Sequence, residues 1–333
     1  MNKRTNKFTA PTEFRSRLTR AVSSLPSVLA LALPLTAMTV QADDAPSRFD
    51  ALASFEFANE YVTPRGMMVT DQGLTFQPLV LAFANVYKSD SFINNVTLVG
   101  GVWNDFSSSQ VSTTGPTYKT APTTAWLEID PIAGFSVGLA KRFKLDVTYT
   151  AFNMQIMNIG LSQHLDTKLS FDDSDYLKAF ALHPYLEFWQ ELDGKATDAA
   201  LPGSLGLTPV NKGAKHAMPG SSFYFEVGID PSYTFKKAGG LKLEAPCRIL
   251  LPDDRFYGDF YSSSSVVGLW EVGLKASIPL NFMPQGYGHW SFHAGVKYMY
   301  FVDDNLYHLN SFNAPGHAIR DTTQVYCGLS MFF

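Results

Sequence analysis

Residues 322–333 read Thr322-Thr-Gln-Val-Tyr-Cys-Gly-Leu-Ser-Met-Phe-Phe333, with apolar side chains at the alternate positions Val325, Cys327, Leu329 and Met331. Between them stand Gln324, Gly328 and Ser330. A period of two residues is that of a β-strand with two unlike faces. The run ends on Phe332-Phe333 with no polar tail. A soluble sheet gains little from such an ending. A sheet that crosses a bilayer must close into a barrel, and its outer face must be apolar.

The same alternation recurs upstream. In Ser222–Phe235, the residues Phe223, Phe225, Val227, Ile229, Pro231, Tyr233 and Phe235 share one parity. The other parity holds Glu226, Gly228, Asp230, Ser232 and Thr234. Trp290–Phe301 repeats the pattern. Twelve such segments are expected: 51–61, 74–87, 96–106, 125–139, 144–152, 163–172, 179–191, 222–235, 241–251, 266–280, 290–301 and 322–333. The third has no clear facing, because Val96, Leu98 and Val102 compete with Val99 and Trp103. The links alternate in length. Those at 62–73, 107–124, 153–162, 192–221, 252–265 and 302–321 are mostly long; those at 88–95, 140–143, 173–178, 236–240 and 281–289 are mostly shorter. Extracellular loops and periplasmic turns of an outer-membrane barrel alternate in this way. The fold class expected is therefore all-β, a closed antiparallel up-and-down transmembrane barrel of twelve strands.

On the assigned strands the apolar parity carries no Asp, Glu, Lys or Arg, as lipid exposure demands: a Lys or Arg at the bilayer midplane costs about 2–4 kcal/mol. The other parity is expected to line the lumen with Glu56, Glu128, Asp130, Asp146, Asp166, Lys168, Glu187, Glu226, Asp230, Lys242, Glu244, Arg248, Glu271, Lys275 and Lys297. Acids outnumber bases there, which favours cations in a water-filled bore. A self-satisfied polar plug is the alternative. Twelve strands make a bore narrower than that of the sixteen- to eighteen-stranded porins, and inward Leu79, Leu81 and Phe83 on the second strand narrow it or form an apolar patch. Aromatic residues near strand ends (Tyr61, Tyr87, Trp126, Phe152, Trp189, Phe223, Phe235, Trp290, Tyr300 and Phe332) suit interfacial girdles.

Residues 1–42 read as a signal peptide cleaved near Ala42, leaving 43–333 as the barrel. Lys3, Arg4, Lys7, Arg15, Arg17 and Arg20 precede an apolar stretch from Leu25 to Val40, then the small-residue junction Val40-Gln41-Ala42. Pro26 and Pro34 and the short apolar length argue against a membrane anchor. The whole chain has 26 basic and 30 acidic residues. Without 1–42, which holds six basic residues and Glu13, the remainder has a net charge of −9. No basic run suggests nucleic acid. Cys247 and Cys327, three strands apart, are too distant for a bridge and read as small lipid-facing groups.

No P-loop, dinucleotide fingerprint, zinc-protease motif or Cys/His cluster occurs, so no cofactor or metal is expected. Ser162 and His164 share a parity at the outer end of the sixth strand, with Asn153 or Asp166 as a third group. Both point towards the lumen, and such pairs arise by chance, so no enzyme is expected. The link 192–221, rich in Pro and Gly, is expected either to fold into the mouth as a constriction or to stay mobile outside it. The acidic, aromatic stretch 252–265 is a candidate contact for solutes or phage.

Two resemblances follow. A terminal Phe after an alternating strand resembles the signal by which Gram-negative outer-membrane barrels are recognised, which implies the barrel assembly machinery as a partner through Phe333. Phe57-Ala-Asn-Glu-Tyr-Val-Thr-Pro-Arg-Gly66, Gln77-Pro78, Trp126-Leu-Glu-Ile-Asp130, Leu169-Ser-Phe-Asp-Asp173 and His183-Pro-Tyr-Leu-Glu187, in that order, resemble the exported bacterial porins of the TorF type. That resemblance implies an outer-membrane barrel in contact with lipid. The function expected is a porin-like channel for passive diffusion of small hydrophilic solutes. The alternatives are a structural or adhesive barrel with a closed lumen and, behind it, a barrel enzyme.

Overall fold

The computed structural model describes residues 48–71, 73–109, 125–155, 161–193, 222–254, 256–257, 265–313 and 319–333. The expected signal peptide 1–42 and most of the link 192–221 lie outside them. The strands are β1 (Phe49–Ala58), β2 (Tyr61–Val62), β3 (Met68–Thr70), β4 (Thr75–Lys88), β5 (Ile93–Ser107), β6 (Trp126–Leu139), β7 (Phe143–Phe152) and β8 (Ser162–Phe171). They continue with β9 (Pro184–Asp193), β10 (Phe223–Ile229), β11 (Ser232–Phe235), β12 (Leu241–Glu244), β13 (Cys247–Pro252), β14 (Leu269–Pro279), β15 (His289–Phe301) and β16 (Asp321–Phe332).

All but β2 and β3 join one antiparallel sheet that closes on itself as a twelve-stranded barrel. The closing seam pairs β1 with β16, from Leu52↔Phe332 to Ala58↔Tyr326. Two of the twelve strands are interrupted: β10 runs on as β11 past Pro231, and β12 as β13 past Pro246. Proline has no N–H to give a ladder. The breaks are bridged through the proline carbonyls, with Ala245 N donating to Pro231 O (2.9 Å) and Gly273 N to Pro246 O (2.8 Å).

The two faces differ as the alternation requires. Val80, Leu98, Phe135, Leu169, Leu186, Val227, Ile249, Val272, Leu274, Phe292, Val325 and Leu329 are exposed around the outside. Facing in, Ser54, Gln77, Thr97, Asp105, Ser136, Thr148, Gln324 and Ser330 are buried beside charged residues. On β5 the facing is now defined: Thr97, Val99, Trp103 and Asp105 are buried while Leu98 is exposed. Cys247 and Cys327 are both free thiols.

Several expectations need correction. The first strand ends at Ala58, and Tyr61 belongs to a separate hairpin. The seventh begins at Pro184 rather than 179, because Ser174–Leu177 form a helical turn continued by Lys178–Phe180. Four of the ten girdle aromatics, Tyr61, Phe152, Trp189 and Phe332, are buried. Phe152 shares the parity of inward Asp146, Trp189 that of Glu187, and Phe332 that of Ser330, so alternation places each inside. Proximity to a strand end was the weaker guide.

Candidate functional site

The segment after β1 turns inward. Thr63-Pro64-Arg65-Gly66 form a tight turn, with Gly66 N donating to Thr63 O (2.8 Å) and Thr63 N to Met67 O (2.8 Å). Pro suits the second position of a type I turn and Gly the fourth. Gly66 has φ +85°, and a Cβ there would lie 2.3 Å from Leu269 Cδ2, so glycine is needed on both counts. The turn joins β2 to β3. This hairpin sits inside the barrel, with Tyr61, Val62, Thr63, Arg65, Met67, Met68 and Thr70 all buried.

Three consecutive carbonyls of the turn each take a separate donor. Arg248 Nη1 donates to Pro64 O (3.0 Å), Tyr257 Oη to Arg65 O (2.6 Å) and Asn310 Nδ2 to Gly66 O (2.9 Å). Asn310 also accepts from Met68 N (2.9 Å). Burial, and after it the charge of Asp303, raises the Tyr257 pKa well above its ordinary value, so the hydroxyl remains a donor. Asp303 caps the helix Asp304–Asn313 by accepting from Asn305 N (2.7 Å) and Leu306 N (3.2 Å). Leu306 and Leu309 of that helix pack with Met67, Met68, Leu79 and Leu81 in one apolar cluster. Phe256 and Tyr257 join it. Of the stretch 252–265, Phe256 and Tyr257 turn inward and cover the hairpin, while 258–264, and with them most of the candidate contact for solutes or phage, lie outside the described residues.

Of the fifteen residues expected in the lumen, Glu56, Glu128, Asp130, Asp146, Asp166, Lys168, Glu187, Glu226, Lys242, Glu244, Arg248, Glu271, Lys275 and Lys297 are buried. Asp230 is half-buried. Many meet opposite charge. Arg248 pairs with Glu226 (2.6 Å) and Glu271 (2.7 Å), and Lys242 with Glu244 (2.5 Å). Lys168 lies 3.8 Å from Glu187 and over the Tyr185 ring, and Lys297 lies over the Tyr326 ring. Elsewhere acids adjoin acids: Asp105 is opposite Glu128, and Glu187 opposite Glu226. Tyr61 Oη donates to Glu128 (2.8 Å), and Gln77 Nε2 to Asp105 (3.1 Å).

Sequence reasoning missed Arg65, Asp105 and Glu191, and, although parity put His293 on the inner face, it did not give that residue its partner. Arg65 lies in a link with no period to betray it, and Asp105 on the strand whose facing was undecided. Glu191 shares the parity of Glu187 and could have been found. His293 bonds Glu56 (3.2 Å) from the inner face of β15.

Ser162 and His164 do approach, with Oγ 2.9 Å from Nε2. Neither Asn153 nor Asp166 is the third group; the carboxylate that approaches His164 Nδ1 is Glu191, at 3.9 Å. That gap exceeds a hydrogen bond. Arg65 Nη1 lies 3.3 Å from the same Nε2 that would have to accept a serine proton. A guanidinium donor on the base nitrogen opposes that transfer, so the pair serves the packing around Arg65. At the opposite end of the barrel Asp172, Asp173 and His183 place ligand-type atoms within 4.8 Å of one another. There Asp173 already accepts from Leu182 N and His183 N and closes the turn before β9.

No protein-family model matches the chain, and no curated protein matches it. Among solved structures it is similar to the β-domain of the Bordetella autotransporter BrkA at 10% identity, covering 86% of this chain and 99% of that one, with a TM-score of 0.39. Pseudomonas putida OprB gives 8% identity, coverage of 86% and 94%, and a TM-score of 0.36. Pseudomonas aeruginosa OpdK, solved with vanillate, gives 8%, 86% and 98%, and 0.35. The functional reading rests instead on the chain's own residues.

Proposed function

We propose that this protein is an outer-membrane, porin-like barrel for passive passage of small hydrophilic solutes, closed at rest by its inturned hairpin. The observation that carries the reading is the contrast between faces: a belt of exposed Val, Leu, Ile and Phe outside, and buried charges inside a closed sheet. Lipid satisfies the first and a polar pathway the second. The basic and apolar segment 1–42, the run ending at Phe333 and the TorF-type motifs support export and assembly into that membrane. Asp105, Glu128 and Asp130 on β5 and β6 bias the bore towards cations.

The test is single-channel recording of the refolded protein in planar bilayers, beside fractionation of cells for outer-membrane location. Conductance steps are expected, with cation preference that falls in Glu128→Gln/Asp130→Asn. A folded barrel without any steps would overturn the channel. A second reading, a structural or adhesive barrel with a closed lumen, is favoured by one observation: Lys242 and Lys275 are each only 2% exposed, so side chains fill that part of the bore. The same recording separates the two.

A further inference from the structure

Among the described residues, the side chains that meet the Arg65 guanidinium, Phe152, His164, Trp189 and Glu191, come from the barrel wall. The guanidinium lies 4.8 Å from the centre of the Phe152 ring and 5.3 Å from that of Trp189. Nη1 donates to Glu191 Oε1 (3.1 Å), and the other Glu191 oxygen accepts from Ser222 Oγ (3.1 Å). The His164 ring stacks on Trp189 at 4.2 Å and meets the edge of Phe152 at 4.5 Å. Two aromatic rings and an oriented carboxylate, all buried, are the components of a cation cage: the rings attract positive charge through their quadrupoles, and the carboxylate takes the N–H. Phe152, His164, Trp189 and Glu191 come from β7, β8 and β9, so neighbouring strands hold the cage together without the hairpin. The hairpin, in turn, has its own seat, because Pro64 O, Arg65 O and Gly66 O are held by Arg248, Tyr257 and Asn310. The Arg65 side chain is therefore a separable occupant of a wall site.

From this we infer that the wall carries a receptor for guanidinium-bearing solutes, occupied in the resting barrel by the protein's own Arg65. A solute of that class is what can take the place of Arg65, since a neutral analogue of the same shape lacks the positive charge that the carboxylate and the ring faces attract. The inference rests on the channel reading for the route by which a solute arrives.

The test is isothermal titration of the detergent-folded, full-length Arg65→Ala barrel with N-ethylguanidinium, with N-ethylurea as the neutral control. Heat-modifiable gel mobility reports folding, and Arg65→Met substitutes if the alanine variant does not fold. Saturable binding of N-ethylguanidinium is expected, on the order of tenfold tighter than to wild type or to Arg65→Ala/Glu191→Gln. Equal binding of N-ethylurea, no binding to a folded Arg65 variant, or indifference to Glu191→Gln would each overturn the receptor. Because titration does not depend on conduction, a barrel that binds but never conducts removes the channel reading alone, and one that conducts but does not bind removes the receptor alone.

Discussion

Towards the long connections the described interior holds the backbone of the hairpin, and towards the short turns it holds paired side chains. The turn Thr63–Gly66 presents three carbonyls, each met by one fixed donor on a different element. Towards the short turns, Lys242 meets Glu244 and Lys144 meets Asp146, each pair within one strand. A buried carbonyl must find a donor in a set direction, so the first region is specified by geometry. A flexible ammonium can satisfy its partner in several rotamers, so the second is specified by charge balance. The same barrel thus holds a rigid stopper above an adaptable ladder.

Arg248 ties the turn to the wall by holding Pro64 O together with Glu226 and Glu271, and its loss should have the largest effect. Arg248→Met leaves Glu226 and Glu271 buried without their cation and strips Pro64 O of its donor, for an expected loss of about 3–5 kcal/mol. Urea unfolding of the refolded barrel measures this; a loss near zero would mean that Arg248 does not anchor the turn to the wall. Leu274→Arg places a charge on the outer belt beside inward Lys275. It should cost about 2–4 kcal/mol in lipid, and an unchanged midpoint would remove lipid as the surrounding solvent. Tyr257→Phe removes one carbonyl donor from the stopper alone, with an expected cost of about 1 kcal/mol. The hairpin amides should then exchange hydrogen faster while the ladder end is unaffected.

The smallest effect belongs to the turn end and appears only in acid. Burial would raise the Asp173 pKa, but the N–H groups of His183 and Leu182 overcome it and hold the carboxyl below its ordinary value of 3.8. A depressed folded pKa stabilises the protein above the unfolded value, and that stability is lost as pH falls through the folded one. Wild type should lose it below pH 3.8, whereas Asp173→Asn should show no such decline in that window. Parallel acid profiles for the two would contradict the assignment.

The barrel was legible because its two faces obey different solvents. Val325, Cys327, Leu329 and Met331 announce a strand in twelve residues, and the inward charges follow from the same parity. The stopper was not legible. Arg65 stands in a link, where no period constrains it, and its meaning comes from Phe152, Trp189 and Glu191, which lie far along the chain. Tyr61 read as an interfacial aromatic because it falls where the first strand was expected to end. Only the turn chemistry, Pro64 followed by Gly66, hinted that the link folds tightly rather than spreading over the surface.

The seam between β1 and β16 has a consequence for how the molecule is made. Ser54 and Ser330, 276 residues apart, meet across it at 3.1 Å. Contacts so remote in sequence cannot form until the last strand exists, and loop closure makes them late. The hairpin directly follows β1, so it is already present when the two ribbons meet. The chain that becomes the hairpin is therefore made about 250 residues before the strand whose arrival closes the wall around it.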